Sequence, residues 1–152
     1  MQITRQADYA IRAILFLAEN DPNVRQSTSK IAEQKHIPPS FLAKIISQLS
    51  IAGLIHTSRG AHGGVTLARP ADQISIMEVV EAIDGPIALN QCTFSSLQSC
   101  PFGENCPVHE MWVEAQSHLV EKLKTTTFHD FIGKEQIGQI GQIQVQTSLE
   151  NR

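Results

Sequence analysis

Residues 37–68 read IPPSFLAKIISQLSIAGLIHTSRGAHGGVTLA. After the Pro38-Pro39 pair, apolar residues recur at spacings of three and four up to Gly53, which predicts a helix. The spacing then becomes two in LIHTS and VTLA, two short runs joined by the glycine-rich turn RGAHGG, and this predicts a β-hairpin. The stretch therefore predicts a helix followed directly by a hairpin.

Two further helices are predicted before this stretch. Residues 8–20, DYAIRAILFLAEN, have apolar side chains at helical spacing and end at an Asp-Pro-Asn breaker. Residues 29–36, SKIAEQKH, form a short helix preceded by Ser and Thr residues that suit an N-cap. Three helices followed by a hairpin make a winged helix-turn-helix, so we predict a DNA-binding domain at residues 1–70.

A fourth helix is predicted in SIMEVVEAIDG, where Ser75 and Glu78 have the spacing of a capping box and Gly85 follows the end. A longer helix is predicted from about Val108. The fold class is therefore mainly α with a small β-hairpin, a winged helix-turn-helix domain plus a long dimerisation helix.

The rest of the predicted organisation follows from composition. We assign the dimerisation helices to residues 71–132, with a cysteine cluster loop at 86–107. Residues 133–152 are rich in Gln and Gly with little to bury, which predicts a disordered tail.

Charge is divided unevenly along the chain. Residues 1–70 carry eight Lys or Arg against four Asp or Glu, and residues 71–152 carry four against eleven. A basic first half is typical of a surface that meets nucleic-acid phosphate, although the net charge is −3. We find no membrane-spanning run, signal peptide, nucleotide loop or nucleophile-base set, so we expect a cytoplasmic protein that is not an enzyme.

A helix-turn-helix reads DNA with the N-terminal part of its second helix, which lies in the major groove. In a basic domain, exposed polar residues can contact phosphates and base edges. They are expected in three places: this helix, the start of the preceding helix, and the wing. An arginine at a glycine-rich wing tip also suits the minor groove. The predicted DNA-binding residues are Thr28, Ser40, Ala43, Lys44, Ser58, Arg59, Gly60 and His62.

All three cysteines of the chain, Cys92, Cys100 and Cys106, lie within fifteen positions, and His109 follows. Thiolates are soft donors that suit zinc and iron-sulfur clusters, and the reducing cytoplasm disfavours a structural disulfide. Three interpretations stay open: a structural zinc site, a dithiol redox switch, and an iron-sulfur cluster that needs a fourth ligand. A zinc-stabilised or cluster-free interaction protein is the alternative to a DNA-binding regulator.

The chain resembles the Rrf-two (Rrf2) family of winged helix-turn-helix iron-sulfur regulators, which includes IscR-like and NsrR-like members. The resemblance covers roughly residues 1–132. It lies in ITRQADYAIRAI, in IPPSFLAKIISQLSIAGLI, in the wing SRGAHGGVTLARP, in ISIMEVVEAIDG and in CPVHEMW. It implies a homodimer that binds a roughly palindromic double-stranded DNA operator, under the control of an iron-sulfur cluster that senses iron, redox state, oxygen or nitric oxide.

The resemblance also implies the cluster ligands. The family's three cysteine ligands match Cys92, Cys100 and Cys106, although the first gap of seven residues is longer than the family's usual gap. As fourth ligand, His109 matches the histidine of IscR-like members, which hold a 2Fe-2S cluster. Asp8 of the partner subunit matches the aspartate of NsrR-like members, which hold a 4Fe-4S cluster. We favour His109 and keep Asp8 as the alternative.

Overall fold

The computed structural model of the chain describes residues 2–93, 100, 102 and 105–134. The predicted tail at 133–152 lies outside these residues except for Gly133 and Lys134. The middle of the predicted cysteine loop, residues 94–99, 101, 103 and 104, also lies outside them.

Three helices form the N-terminal half: α1 (Arg5–Glu19), α2 (Thr28–Gln34) and α3 (Pro39–Ile51). Helix α1 begins three positions before the predicted start at Asp8, because the Thr4 hydroxyl accepts a hydrogen bond from the Ala7 N–H at 3.2 Å and caps the helix. Helix α2 ends before the predicted His36, because this residue has a φ of 51°, which a right-handed helix does not allow.

The predicted burial of α3 is confirmed. Leu42, Ile45, Ile46 and Leu49 are all buried, and Pro39 is the first helical residue, where its missing N–H removes no helical hydrogen bond. Because one face of α3 packs into the core, the residues between these apolar positions lie at the surface.

The hairpin consists of β1 (Ile55–Ser58) and β2 (Gly64–Leu67), an antiparallel pair with Ser58 opposite Gly64. Residues 59–63 form the loop, which we call the wing tip. The segment before α2 adds a third pairing, because the backbones of Gln26 and Val65 exchange hydrogen bonds of 3.0 and 2.9 Å. The base of the wing is therefore joined to the start of the helix-turn-helix.

After the hairpin, the described residues form the helices α4 (Ile76–Asp84) and α5 (His109–Thr125). The predicted capping box at the start of α4 is confirmed, since Ser75 and Glu78 each accept a hydrogen bond from the other's backbone N–H. Short 3-10 turns lie at Ala71–Gln73, Gln91–Thr93 and Phe128–Phe131.

The hydrophobic core continues across residue 70. It joins α1, α2, α3 and the hairpin to Ile74, α4, Ile87 and Phe128. Phe128, which is 0% exposed, returns the chain to this core after α5, and the Phe128 N–H donates to the Ile74 carbonyl at 3.1 Å. By contrast, α5 itself has no buried residue among the described side chains. No helix in the described part of the chain has the length and apolarity of a membrane span.

Candidate functional site

The predicted base-reading residues lie on the exposed side of α3. Ser40, Ala43 and Lys44 are all exposed, and they occupy the first two turns of the helix. In a helix-turn-helix, side chains in this part of the second helix reach base edges in the major groove. Their placement therefore suits the predicted contact with DNA.

Thr28 borders two clefts that connect α3 with the wing. A cleft of about 410 Å³ between α2 and α3 is lined by Thr28 and Ala43, among others. A second cleft, of about 260 Å³, lies between α2 and the hairpin and is lined by Thr28, Ser58 and Gly60, among others. The structure thus brings four of the predicted DNA-binding residues to one continuous surface.

The wing tip carries the remaining predicted residues. Arg59, Gly60 and His62 are exposed, and Gly60 has a φ of 102°, a conformation that glycine adopts without strain. The chain folds tightly back on itself here, because a side chain at Gly63 would overlap the carbonyl oxygen of Ser58. The tip is a narrow loop that projects an arginine.

Sequence reasoning missed the role of Arg25, which it counted only as a positive charge. The Arg25 Nη1 atom donates to Ser58 Oγ at 3.1 Å and to the His62 carbonyl at 3.2 Å. These partners are 33 and 37 positions away along the chain. No local pattern could have identified the contact.

An ion pair connects the end of the hairpin with α4. Arg69 Nη2 lies 2.8 Å from Glu78 Oε1, and Arg69 Nη1 donates to the Gln73 carbonyl at 3.1 Å. Burial alone would raise the pKa of Glu78, but hydrogen bonds from Ser75 and Arg69 outweigh it and hold the pKa below its ordinary value. The carboxylate therefore stays ionised and holds the hairpin end against α4.

The three cysteines carry free thiols and are each half-buried. In the described parts of the single chain, no three His, Cys, Asp or Glu side chains lie close enough together to hold one metal ion. Much of the loop between Cys92 and Cys106 lies outside the described residues. The predicted metal ligands therefore stay a prediction.

His109 begins α5 one turn after Cys106. Its backbone N–H donates to the Cys106 carbonyl at 3.2 Å. Its imidazole Nδ1 is buried and has no hydrogen-bond partner among the described residues. Because a buried polar atom without a partner is costly, this nitrogen is suited to a metal. Thiols and an imidazole nitrogen are the donor types that an iron-sulfur cluster or zinc accepts.

Asp8, the alternative fourth ligand, is engaged within its own helix. Its Oδ2 lies 2.6 Å from Arg12 Nη2, with both side chains about half exposed. Arg12 also lies over the ring of Tyr9, 5.7 Å from the ring centre. The Asp8 carboxylate is therefore already paired through one of its two oxygens.

Gln116 of α5 holds the first part of the cysteine loop, and sequence reasoning missed it too. Its Oε1 accepts from the Leu89 N–H at 2.8 Å, and its Nε2 donates to the Ile87 carbonyl at 2.6 Å. The side-chain amide thus accepts one hydrogen bond from this backbone and donates one to it, as a neighbouring β-strand would. Cys92 follows this anchored segment within three residues.

Comparisons with known proteins agree with this geometry. The family model Rrf2, described as an iron-dependent transcriptional regulator, matches residues 3–134. A relative from Mycobacterium tuberculosis strain H37Rv, named as a candidate HTH-type transcriptional regulator, is 33% identical over 134 residues, which cover 88% of this chain and 82% of the relative.

Two solved structures share the fold. CymR, the global cysteine regulator of B. subtilis, has a TM-score of 0.71 at 24% identity and covers 86% of this chain and 95% of its own. IscR of T. potens has a TM-score of 0.65 at 24% identity and covers 86% of this chain and 85% of its own.

The family model covers nearly the whole chain, including the winged helix-turn-helix, which is a DNA-binding fold. Its members are transcriptional regulators and not enzymes. This chain belongs to the Rrf2 family of transcriptional regulators.

Proposed function

We propose that the chain is a homodimeric regulator whose affinity for a roughly palindromic operator is controlled by an iron-sulfur cluster. The observation that carries the cluster part is His109, one turn after Cys106, whose buried Nδ1 has no hydrogen-bond partner among the described residues. A buried imidazole nitrogen of this kind is suited to a metal ligand, because metal coordination would satisfy it. The regulator would act in the cytoplasm, where the thiols stay reduced.

The proposed DNA interface consists of α3, the start of α2 and the wing. Ser40, Ala43 and Lys44 would meet base edges and phosphates in the major groove, and the wing would meet the neighbouring backbone or minor groove. The proposed contacts are Thr28, Ser40, Ala43, Lys44, Ser58, Arg59, Gly60 and His62. Lys44 and Arg59 supply positive charge, so binding should weaken as salt rises.

The proposed cluster ligands are Cys92, Cys100, Cys106 and His109. When bound, an iron-sulfur cluster would link its ligands to one another. Iron supply, redox state, oxygen or nitric oxide can alter the cluster and so this link. Gln116 holds the segment before Cys92 against α5, and the first turn of α5 holds His109 beside Cys106. The chain thus fixes both ends of the loop that carries the thiols.

The Asp8–Arg12 ion pair favours His109, and with it a 2Fe-2S cluster, over Asp8 of the partner subunit and a 4Fe-4S cluster. The Asp8 carboxylate already pairs with Arg12 at 2.6 Å, whereas ligation by His109 would satisfy a nitrogen that has no hydrogen-bond partner among the described residues. Regulation would follow if the loop differs in structure with and without the cluster and so biases operator affinity. A differential affinity of about 1.4 kcal/mol changes binding tenfold.

We propose that the dimer forms along α5. The same proposal divides the chain into a DNA-binding part at residues 1–70 and a dimerisation part at residues 71–132. Helix α5 packs the half-buried Leu119 and Leu123 against the core, but none of its 17 residues is fully buried. Val108 and Met111, which are three positions apart at its start, are each 49% exposed. We expect two chains per particle in sedimentation, and a weaker association for Met111→Glu.

The test of the cluster is its content in protein purified without oxygen. We expect a coloured protein that contains iron and sulfide, and loss of both when Cys92, Cys100 or Cys106 is replaced by Ala. His109→Ala should change the cluster's visible spectrum, while His118→Ala, an exposed histidine of the same helix, should leave it unchanged. A colourless protein with one zinc per chain would contradict the proposal and favour the zinc-stabilised alternative. A colourless protein without metal, whose DNA affinity responds to thiol oxidation, would favour the redox switch.

A further inference from the structure

Arg25 connects the segment before α2 with both sides of the wing tip. Its Nη1 atom donates to Ser58 Oγ, at the end of β1, and to the His62 carbonyl, on the returning side of the loop. One nitrogen therefore bridges the two ends of the loop that carries Arg59.

This contact reaches beyond the paired part of the hairpin. The strand register ends at the Ser58 and Gly64 pair, and the additional pairing of Gln26 is with Val65. Within the described residues, the wing tip is held by the Gly63 N–H donating to the Gly60 carbonyl at 2.9 Å and by Arg25. The first of these bonds shapes the loop, and the second fixes it to the helix-turn-helix.

The partners of Arg25 are neutral. A hydroxyl and a carbonyl accept its hydrogen bonds, and no ion pair among the described residues includes Arg25. The guanidinium thus keeps its full positive charge at the base of the wing. This combination suits a residue that holds a DNA-contacting loop without repelling the duplex.

We infer that Arg25 is a positioning residue of the DNA interface, which holds the wing in the orientation where Arg59 meets the duplex. The inference rests on the proposed contact between Arg59 and DNA. A loop that is already held in its bound orientation loses less conformational freedom when DNA binds. Removal of Arg25 should therefore weaken operator binding through the wing, by about three- to tenfold for two exposed hydrogen bonds.

The test is a double-mutant cycle between Arg25→Ala and Arg59→Ala. Affinity is measured by fluorescence anisotropy with a labelled duplex that the wild-type protein has selected from a random-sequence pool. If Arg25 acts by positioning Arg59, its removal should cost about three- to tenfold in the wild-type chain and a smaller factor in the Arg59→Ala chain, where only the other wing contacts remain. Equal losses in both chains, or no loss in either, would overturn the inference.

A matched control removes the same charge elsewhere in the basic half. Arg5, in the first turn of α1, is exposed. We expect Arg5→Ala to change affinity by the same factor whether or not Arg59 is present, because a loss of general positive potential does not act through the wing. A cycle with Arg5 that shows the same non-additivity as the cycle with Arg25 would overturn the inference.

Hydrogen exchange tests the contact without DNA. Backbone amides in residues 59–63 should exchange faster in Arg25→Ala, while the melting temperature stays close to that of the wild-type chain, because Arg25 lies at the surface. Unchanged exchange in the wing tip would overturn the inference. If Arg59→Ala itself leaves affinity unchanged, the proposed wing contact fails and the inference fails with it. Additive losses would overturn only the role of Arg25.

Discussion

Asp84, the last residue of α4, accepts two hydrogen bonds from Thr4, the residue that caps α1. The Thr4 N–H reaches Oδ2 at 3.0 Å, and the Thr4 hydroxyl reaches Oδ1. A carboxylate is unfavourable at the C-terminal end of its own helix but favourable at the N-terminal end of another, so this one mainly stabilises α1. The pair fastens the start of the chain to the point where the cysteine loop leaves α4.

We expect Asp84→Ala to lower the free energy of unfolding by roughly 1–2 kcal/mol, because two hydrogen bonds and a favourable helix-end charge are lost together. Urea denaturation measures the change, and hydrogen exchange should show faster opening at the first amides of α1. Asp72→Ala, at an exposed aspartate of the turn before α4, serves as the control and should cost less. Equal costs for the two variants would contradict the assignment.

Gln116→Leu should release the start of the cysteine loop. The substitution keeps the size of the side chain but leaves the Leu89 N–H and the Ile87 carbonyl without their partner, which we expect to cost roughly 1–3 kcal/mol. The Leu89 amide should exchange faster, as measured by NMR or mass spectrometry. Ser117→Ala, at the exposed neighbouring position, should leave this amide protected.

Gly63→Ala should impair DNA binding more than folding. A Cβ atom at this position would overlap the Ser58 carbonyl oxygen and lie 2.9 Å from the Gly60 oxygen, so the wing tip must change shape. We expect an affinity loss of about tenfold, with a melting temperature that changes little because the tip lies outside the core. Ala61→Ser, at an exposed position of the same loop, is the control. An affinity equal to that of the control would show that the shape of the tip does not matter for binding.

The Arg69–Glu78 ion pair predicts a pH-dependent part of the stability. The folded-state pKa of Glu78 lies below its ordinary value, so its contribution is complete above the pKa of an unfolded glutamate and is lost as the pH falls through the folded pKa. Glu78→Gln should therefore lower stability at neutral pH and flatten the decline that begins as the pH falls below the pKa of an unfolded glutamate. Denaturation curves at several pH values measure this, with Glu81→Gln as the control on the same helix. Parallel pH profiles for wild type and Glu78→Gln would rule the contribution out.

Sequence reasoning succeeded where the determining contacts are local. The burial of Leu42 and Ile45, and the capping box of Ser75 with Glu78, depend on residues three or four positions apart, and a single sequence displays such spacings directly. The Thr4 cap at the start of α1 is also a local contact, but the helical spacing alone did not predict it. Thr4 is a residue type that suits an N-cap, but the apolar spacing from Asp8 onward does not reveal the first three residues of the helix.

Contacts between distant segments could not be predicted in this way. Arg25 with Ser58, Gln116 with Leu89 and Thr4 with Asp84 join positions 33, 27 and 80 residues apart. Nothing in the local pattern of any partner specifies the other, since such pairs arise only when the helices pack. The proposed DNA contacts and cluster ligands come from motif and resemblance.

The return of the chain to the core at Phe128 would let a dimer fix the distance between its two DNA-binding helices. Phe128 lies three residues after the end of α5, a helix about 25 Å long, and its fully buried ring anchors that end to the core shared with the helix-turn-helix. In a dimer built along α5, the protein would therefore fix both the separation and the relative rotation of the two copies of α3. B-DNA turns by about 35° per base pair, so one base pair inserted between the half-sites would carry one of them away from its reading helix. Operator choice would then depend on the spacing of the half-sites as well as on their sequence.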